Sequence, residues 1–356
     1  HVQVNPVEFK HLYFNAIGQS VFTRFSIAPH KCARIAPGFH VFPFNMKNKI
    51  LVIGSINYDL GGFTPRHPAP GETILGEKFL TFPGGKGANQ ALAAARLGGN
   101  VQMLGNVGND NFGEELLQNL QKNMVDISHI RKTDTSTGTA HITVNASGQN
   151  SIIVVPGANA TLGKHDIDAI KDMIQSAQVL VLQLEIPLDV VVHAINYAYD
   201  FGTKTLLNPA PAQQIPVDTL RKVTYLIPNE SELALLSGMP TTDLKACRSA
   251  AGHLLEIGCE QIILTRGDQG ACYFSRSQEI ILPSYQVPVM DTTAAGDAFI
   301  GGLAVSFADG LDLLSSMQVA SAAGALAVTK VGAQTSLPTK NELDSFLKKH
   351  SQEVQA

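Results

Sequence analysis

From Lys49 onward, short apolar runs alternate with segments of helical period, and this alternation constrains the fold more than any other feature of the chain. Lys49–Gly54 (KILVIG) is apolar without a break and ends at glycine, as a strand covered on both faces does. Ala88–Leu97 carries a helical period and stops at Gly98-Gly99. Val101–Leu104 reads as strand again, and Glu114–Lys122 as a helix beginning after Asp110 and Gly113. Further strands are expected at Val179–Leu182, Thr205–Leu207, Tyr225–Ile227 and Ile262–Leu264. Helices are expected at Val190–Tyr199, Glu230–Leu236 and Leu244–Ile257, then at Asp297–Phe307 and Met317–Thr329, both rich in small residues. Such alternation predicts an α/β fold, a doubly wound, mainly parallel sheet flanked by helices on both faces.

Two segments, about 60–83 and 138–156, break the rhythm. Leu60–Phe82 holds turn residues (Gly61-Gly62, Pro65, Pro68, Pro70-Gly71) and then a β-like run, Thr73–Thr81. Thr139–Val144 and Ser151–Val155 alternate about a Ser147-Gly148 turn as a hairpin. Together they predict a small antiparallel β lid over the carboxyl ends of the parallel strands, where open α/β sheets bind ligands.

Residues 1–45 follow neither pattern. They hold 8 of the chain's Phe and Tyr residues, of which there are 16 and 7, with Lys10, Arg24, Lys31 and Arg34 against a single acid, Glu8. Met46 opens Met46-Lys47-Asn48-Lys49 directly before the first strand. We therefore expect a leader outside the fold, either sequence upstream of a true start at Met46 or an extension, before a single domain at 46–350. Organellar targeting by this acid-poor stretch is the lesser alternative to a cytoplasmic protein.

Composition removes several function classes. With 26 Lys+Arg against 30 Asp+Glu the net charge is −4, and no basic stripe for nucleic acid is present. No apolar run approaches the ~18 residues of a membrane span. Cys32, Cys247, Cys259 and Cys272 stand far apart without CxxC spacing, which fits a reducing compartment. The 11 histidines show no metal-ligand spacing. Asn145, Asn159 and Asn229 begin N-x-[ST] matches, a pattern common by chance. Gly85-Lys86 is not a P-loop, because Leu80 stands where a glycine is needed and Gly87 where Ser or Thr is. No GxGxxG follows the first strand.

The strongest local signal is Asp291-Thr292-Thr293-Ala294-Ala295-Gly296-Asp297 running into a helix. Amides of Ala294, Ala295 and Gly296 at a helix start suit an anion, and Asp297 places a carboxylate beside it. A base next to an anion hole is what phosphoryl transfer to a hydroxyl requires. An isolated Gly-Asp pair would be only a helix cap. Here it has company: Pro83-Gly84-Gly85-Lys86-Gly87-Ala88-Asn89-Gln90 opens another helix, Ser55-Ile56-Asn57-Tyr58-Asp59 follows the first strand, and Asn229-Glu230-Ser231-Glu232 follows a later one.

In this order, the segments resemble the ribokinase-like (pfkB) family of sugar kinases. The resemblance runs from about Lys49 to Leu347. It includes Gly84–Gln90 and Asp291–Asp297, and also Gln183-Leu184-Glu185, Asn208–Ala212, Pro228–Glu232, Thr265–Gly270 and Val328–Ser336.

The resemblance implies transfer of the γ-phosphoryl of ATP to the 5-hydroxyl of D-ribose, giving D-ribose 5-phosphate. Deoxyribose, another sugar such as fructose, or a nucleoside is the alternative substrate, and a non-catalytic sugar-sensing module the remote one. It implies that Asn57, Asp59, Gly85, Lys86, Asn89 and Glu185 grip the sugar and Asp297 is the base. The amides of Ala294, Ala295, Gly296 and Asp297 would form the anion hole. Asn229 and Glu232 would position Mg2+ and phosphate, and Thr265, Arg266, Gly267, Gly270 and Ser321 would border the nucleotide. Asp291, Thr293, Ala327, Lys330, Gly332 and Ser336 would hold an activating K+. The resemblance also implies a homodimer through the lid. Lys330 and Ser321 depart from the residues usual at their positions, and the bulky Tyr58 is expected to trim the sugar pocket.

Overall fold

The computed structural model describes residues 49–353. The expected leader and the start at Met46 lie outside the described residues. The strands are β1 (Lys49–Ile53), β2 (Asn57–Thr64), β3 (Lys78–Gly84), β4 (Asn100–Gly108), β5 (Asp126–Thr133), β6 (Gly138–Asn145) and β7 (Asn150–Val155). They continue with β8 (Val179–Leu182), β9 (Lys204–Leu207), β10 (Tyr225–Leu226), β11 (Gln261–Thr265), β12 (Ala271–Ser275) and β13 (Glu279–Leu282).

A nine-stranded sheet runs in the order β13-β12-β11-β10-β9-β8-β1-β4-β5. It is parallel from β5 to β11 and antiparallel only where β12 and β13 are added at one edge. In β1, Ile50 and Val52 point into one hydrophobic core while Leu51 and Ile53 point into the other. Period-2 alternation thus explains why KILVI is apolar throughout: each face of the strand is covered by helices. Chain order reverses at β1, with β4 on one side and β8 on the other. The loops leaving the carboxyl ends beside such a switch point form the ligand crevice of an open α/β sheet.

The helices fall where the apolar period places them, with ends shifted by a few residues: Lys86–Arg96, Asn111–Lys122, Leu188–Phe201, Glu230–Ser237, Leu244–Glu256, Ala295–Ala308 and Leu313–Ala327. The helix Ala295–Ala308 is buried from Asp297 to its end. At Gly301 a Cβ would lie 2.5 Å from Cβ of Ala93, so glycine is what lets this helix close onto Lys86–Arg96.

A four-stranded sheet, β3-β2-β6-β7, forms the lid. Its outer pairs are antiparallel, as expected, whereas the central β2–β6 pair is parallel. Residues 57–64, read above as the exit of the first strand and a turn region, are a strand. Of Thr73–Thr81, only the part from Lys78 is strand, and Thr73–Gly76 has no regular structure.

Candidate active site

The predicted residues gather at the carboxyl ends of β1, β8, β9, β10 and β11, and the packing of two helices closes the group. The helix Lys86–Arg96 brings Asn89 and Gln90 against the first turn of Ala295–Ala308, where Asp297 stands. Asn89 Nδ2 donates to Asp297 Oδ2 at 2.9 Å, and Gln90 Nε2 donates to Asp297 Oδ1 at 2.9 Å. Asp297 is 7% exposed. Burial pushes its carboxyl above the ordinary value, and the Lys86 ammonium and the two amides work against that push.

The helix Ala295–Ala308 begins without a side-chain cap, at Ala294 held in the left-handed region at φ 59°. Ala295 N–H reaches the Thr292 carbonyl at 3.3 Å, while the N–H groups of Ala294, Gly296 and Asp297 have no acceptor among the described residues. Free amides at a helix N-terminus are an anion site. They stand beside the carboxylate of Asp297.

Glu185, after β8, accepts from Ser55 Oγ at 2.5 Å, from Lys86 N–H at 3.0 Å and from Asn57 Nδ2 at 3.5 Å. Asn57 is fixed from its other end, its Oδ1 accepting from Asn159 Nδ2 at 2.7 Å. Asp59 lies two residues along β2 on the same face, and its carboxyl is pushed up to about 7 by burial first, then by the charges of Glu185 and Asp297. Burial disfavours the Lys86 ammonium, but Asp297, Glu185, Glu232 and Asp59 outweigh it and hold its pKa above the usual value. One lysine and four carboxylates therefore share a single electrostatic neighbourhood. Gly85 makes the tight entry possible: it sits at φ 87°, and a Cβ there would lie 2.6 Å from the amide nitrogen of Asn57.

Tyr58 does not trim this pocket. It points to the opposite face of β2, stacks on Phe112 with centroids 4.3 Å apart and donates from its hydroxyl to Glu115.

At the neighbouring strand ends, Asn229 and Glu232 form a reciprocal capping box. Burial raises the Glu232 carboxyl, opposed by its bond from Asn229 N–H and the charge of Lys86. Thr265 bridges to this turn through the Pro228 carbonyl. The Arg266 guanidinium is committed to Glu230 at 3.0 Å and Gln269 at 2.6 Å, and the Arg266 amide donates to the Gly270 carbonyl, shaping the loop that holds Gly267. Ser321 Oγ is buried without a partner among the described residues.

Of the six predicted cation-loop positions, Asp291, Thr293 and Gly332 are joined by hydrogen bonds between two segments. Asp291 Oδ1 accepts from Thr293 N–H and Oγ, and Asp291 Oδ2 accepts from Gly332 N–H at 2.8 Å. Met290 and Asp291 N–H both donate to the Val328 carbonyl, and Lys330 N–H donates to Ala327. The Lys330 side chain turns away to Glu342, and Ser336 is fully buried nearby in sequence, on Ala333. The donors available here, backbone carbonyls with one carboxylate, are all oxygens and fit a hard cation. Among the described residues there is no cluster of three or more His, Cys, Asp or Glu.

The profile of the pfkB family carbohydrate kinases matches residues 47–340. The chain belongs to the pfkB family. Among pfkB relatives it is 42% identical to "Ribokinase" of Schizosaccharomyces pombe over 316 residues, covering 85% of this chain and 99% of that protein. It is 40% identical to "Deoxyribokinase" of Salmonella typhi over 300 residues, 84% of this chain and 98% of that one. In three dimensions it is similar to the Arabidopsis thaliana ribokinase structure complexed with ribose and ATP, with TM-score 0.81, 31% identity and coverage of 85% and 99%.

The pfkB motifs account for most of the site but not all of it. Ser55, Gln90, Asn159, Gln183 and Gln334 bond directly to predicted site residues or to each other. Ser55, Gln90, Gln183 and Gln334 lie inside the motif blocks, so position within a motif was their available signal. Asn159 had none, because its bond partner is 102 residues away. Among the described residues no helix is long and apolar enough to cross a membrane.

Proposed function

We propose that this pfkB kinase transfers the γ-phosphoryl of ATP to the 5-hydroxyl of D-ribose, yielding ADP and D-ribose 5-phosphate. The observation that carries this is the buried Asp297 carboxylate, held by two amides at the foot of a helix whose first amides are free. Asp297 takes the hydroxyl proton, the sugar oxygen attacks the γ-phosphorus, and the bond to the β,γ-bridging oxygen breaks to release ADP. The amides of Ala294, Gly296 and Asp297, with Ala295, steady the charge on the transferred group. Asn57, Asp59, Gly85, Lys86, Asn89 and Glu185 bind the sugar. Thr265, Arg266, Gly267, Gly270 and Ser321 border the nucleotide. A lid that excludes water favours transfer over hydrolysis.

Asn229 and Glu232 are the residues that would hold hydrated Mg2+, which neutralises phosphate charge when bound. Asp291, Thr293, Ala327, Lys330, Gly332 and Ser336 would hold K+ behind the anion hole. The kinase domain is proposed to span 46–350. The exposed apolar strand β7, with Ile152, Ile153, Val154 and Val155, supports a homodimer through the lid. The buried free thiols of Cys247, Cys259 and Cys272 support a cytoplasmic setting.

The similarity to deoxyribokinases favours 2-deoxyribose as the second reading. A coupled assay of ADP release with ribose and with 2-deoxyribose decides between them. Higher kcat/KM for ribose supports the proposal, preference for deoxyribose selects the second reading, and no sugar-dependent ADP removes both.

A further inference from the structure

We propose that Gln90, Gln183 and Gln334 are positioning residues for the base, closing a two-armed amide clamp on the Asp297 carboxylate. This rests on the assignment of Asp297 as base. In one arm, Gln183 Nε2 donates to Gln90 Oε1 at 2.6 Å, and Gln90 Nε2 donates to Asp297 Oδ1 at 2.9 Å. In the other, Gln334 Nε2 donates to Asn89 Oδ1 at 3.0 Å, and Asn89 Nδ2 donates to Asp297 Oδ2 at 2.9 Å. Each inner amide commits its carbonyl to an outer glutamine and an N–H to the carboxylate. Donation runs in the same direction along both arms, so each bond polarises the next toward Asp297.

The outer ends sit in different parts of the fold, and Gln183 Oε1 is buried there without a partner among the described residues. Gln183 leaves the end of β8, next to β1. Gln90 also donates to Asn208 Oδ1 at 3.2 Å, beyond β9. Gln334 Oε1 accepts from Asn119 Nδ2 at 2.5 Å, and the Gln334 carbonyl accepts from Arg96 at 2.8 Å. The exposures of Gln183, Gln90, Asn89 and Gln334 are 0%, 1%, 6% and 5%. Amides so deeply buried are costly unless bonded. These two chains meet at one carboxylate.

The clamp fixes the plane of the carboxylate and supplies a donor to each oxygen. The charged groups facing Asp297 are Lys86, Glu185, Asp59 and Glu232, none of which the amide substitutions remove.

The test is Gln183→Met and Gln334→Met, each keeping the side chain's length while deleting its donor. We expect kcat to fall about tenfold in each, the scale of one weakened bond to a charged group. KM for the sugar should hold in Gln183→Met, whose arm contains no sugar-binding residue, and in both variants the acid limb of the kcat–pH profile should move to higher pH. In an Asp297→Asn background neither change should lower the residual kcat further, since the arms reach the reacting hydroxyl through that carboxylate. If the substitutions lower thermal stability but leave kcat and the acid limb in place, or act equally in the Asp297→Asn background, the clamp is overturned. Wild-type kcat in Asp297→Asn itself would instead overturn the base assignment. The arms end on different residues, so if one variant does not fold the other carries the same test.

Discussion

Asn89 and Asp297 are 208 residues apart in the chain, yet Nδ2 of one lies 2.9 Å from Oδ2 of the other. Two helix N-termini, one from each end of the domain, are thereby joined into a single site. The carboxylate is enclosed by amides, and the free amides of its own helix stand beside it. A charge buried this way is stable only with such partners.

Replacing Asp297 with alanine removes the proton acceptor and leaves the sugar-binding groups on β2 and after β8 in place. The expected result is a loss of about 10²–10⁴ in kcat, with KM for ribose changed little. Steady-state kinetics on the purified variant measure both quantities.

Asp59 gives the site its pH response. Its carboxyl is pushed up to about 7, so below that pH the free protein loses an ionised acceptor for sugar hydroxyls. KM for the sugar should rise as pH falls through 7, and the dependence should vanish in Asp59→Asn, at a uniformly weaker affinity. The sign for stability is opposite. A carboxyl raised above its unfolded value, about 4, adds stability below that value and loses it as pH rises through 7. Asp59→Asn should therefore melt higher than wild type at pH 8, by a few degrees at roughly 2–4 °C per kcal/mol. The advantage should shrink toward pH 4. Calorimetry across that range checks it.

The parallel core was legible in the sequence because period 2 and period 3.6 persist wherever both faces are buried, as in β1 and the helix Lys86–Arg96. β2 was not: NYDLGGFT holds two glycines and alternates irregularly, and it is a strand because β3 and β6 pair with it on either side. β5 was missed for a related reason, since DISHIRKT lies at the sheet edge and much of it is exposed. In the site, charged and glycine-rich motifs announced Lys86, Glu185 and Asp297. Gln183 and Gln90 lie in motif blocks too, but that they pair was not announced, because neutral amides 93 residues apart carry no sign of their partner.

Gly85→Ala tests the entry loop. Alanine at φ 87° is strained, and its Cβ would stand 2.6 Å from Asn57 N and 2.9 Å from Ser55 O, both backbone atoms that cannot swing aside. A cost of about 1–3 kcal/mol is expected from the backbone alone. Displacing Asn57 should also raise the sugar KM. A variant with wild-type melting temperature and KM would show that the loop does not set the position of β2.

The monovalent cation is tested through the loop that carries Asp291. Burial favours protonation of this carboxyl, but donors from Thr293 and Gly332 outweigh it and hold the group below its ordinary value. It therefore stays ionised across neutral pH and ties residue 293 to residue 332, a segment that continues directly to Gln334 and, through Asn89, to Asp297. If carbonyls here surround K+, replacing it with the smaller Na+ at constant ionic strength should lower kcat several-fold and leave the sugar KM nearly unchanged. Binding to the folded state alone also raises the melting temperature with K+ concentration. Asp291→Ala should abolish both the rate difference and the K+-dependent melting shift. Equal rates and equal melting in the two salts would remove the cation from the site.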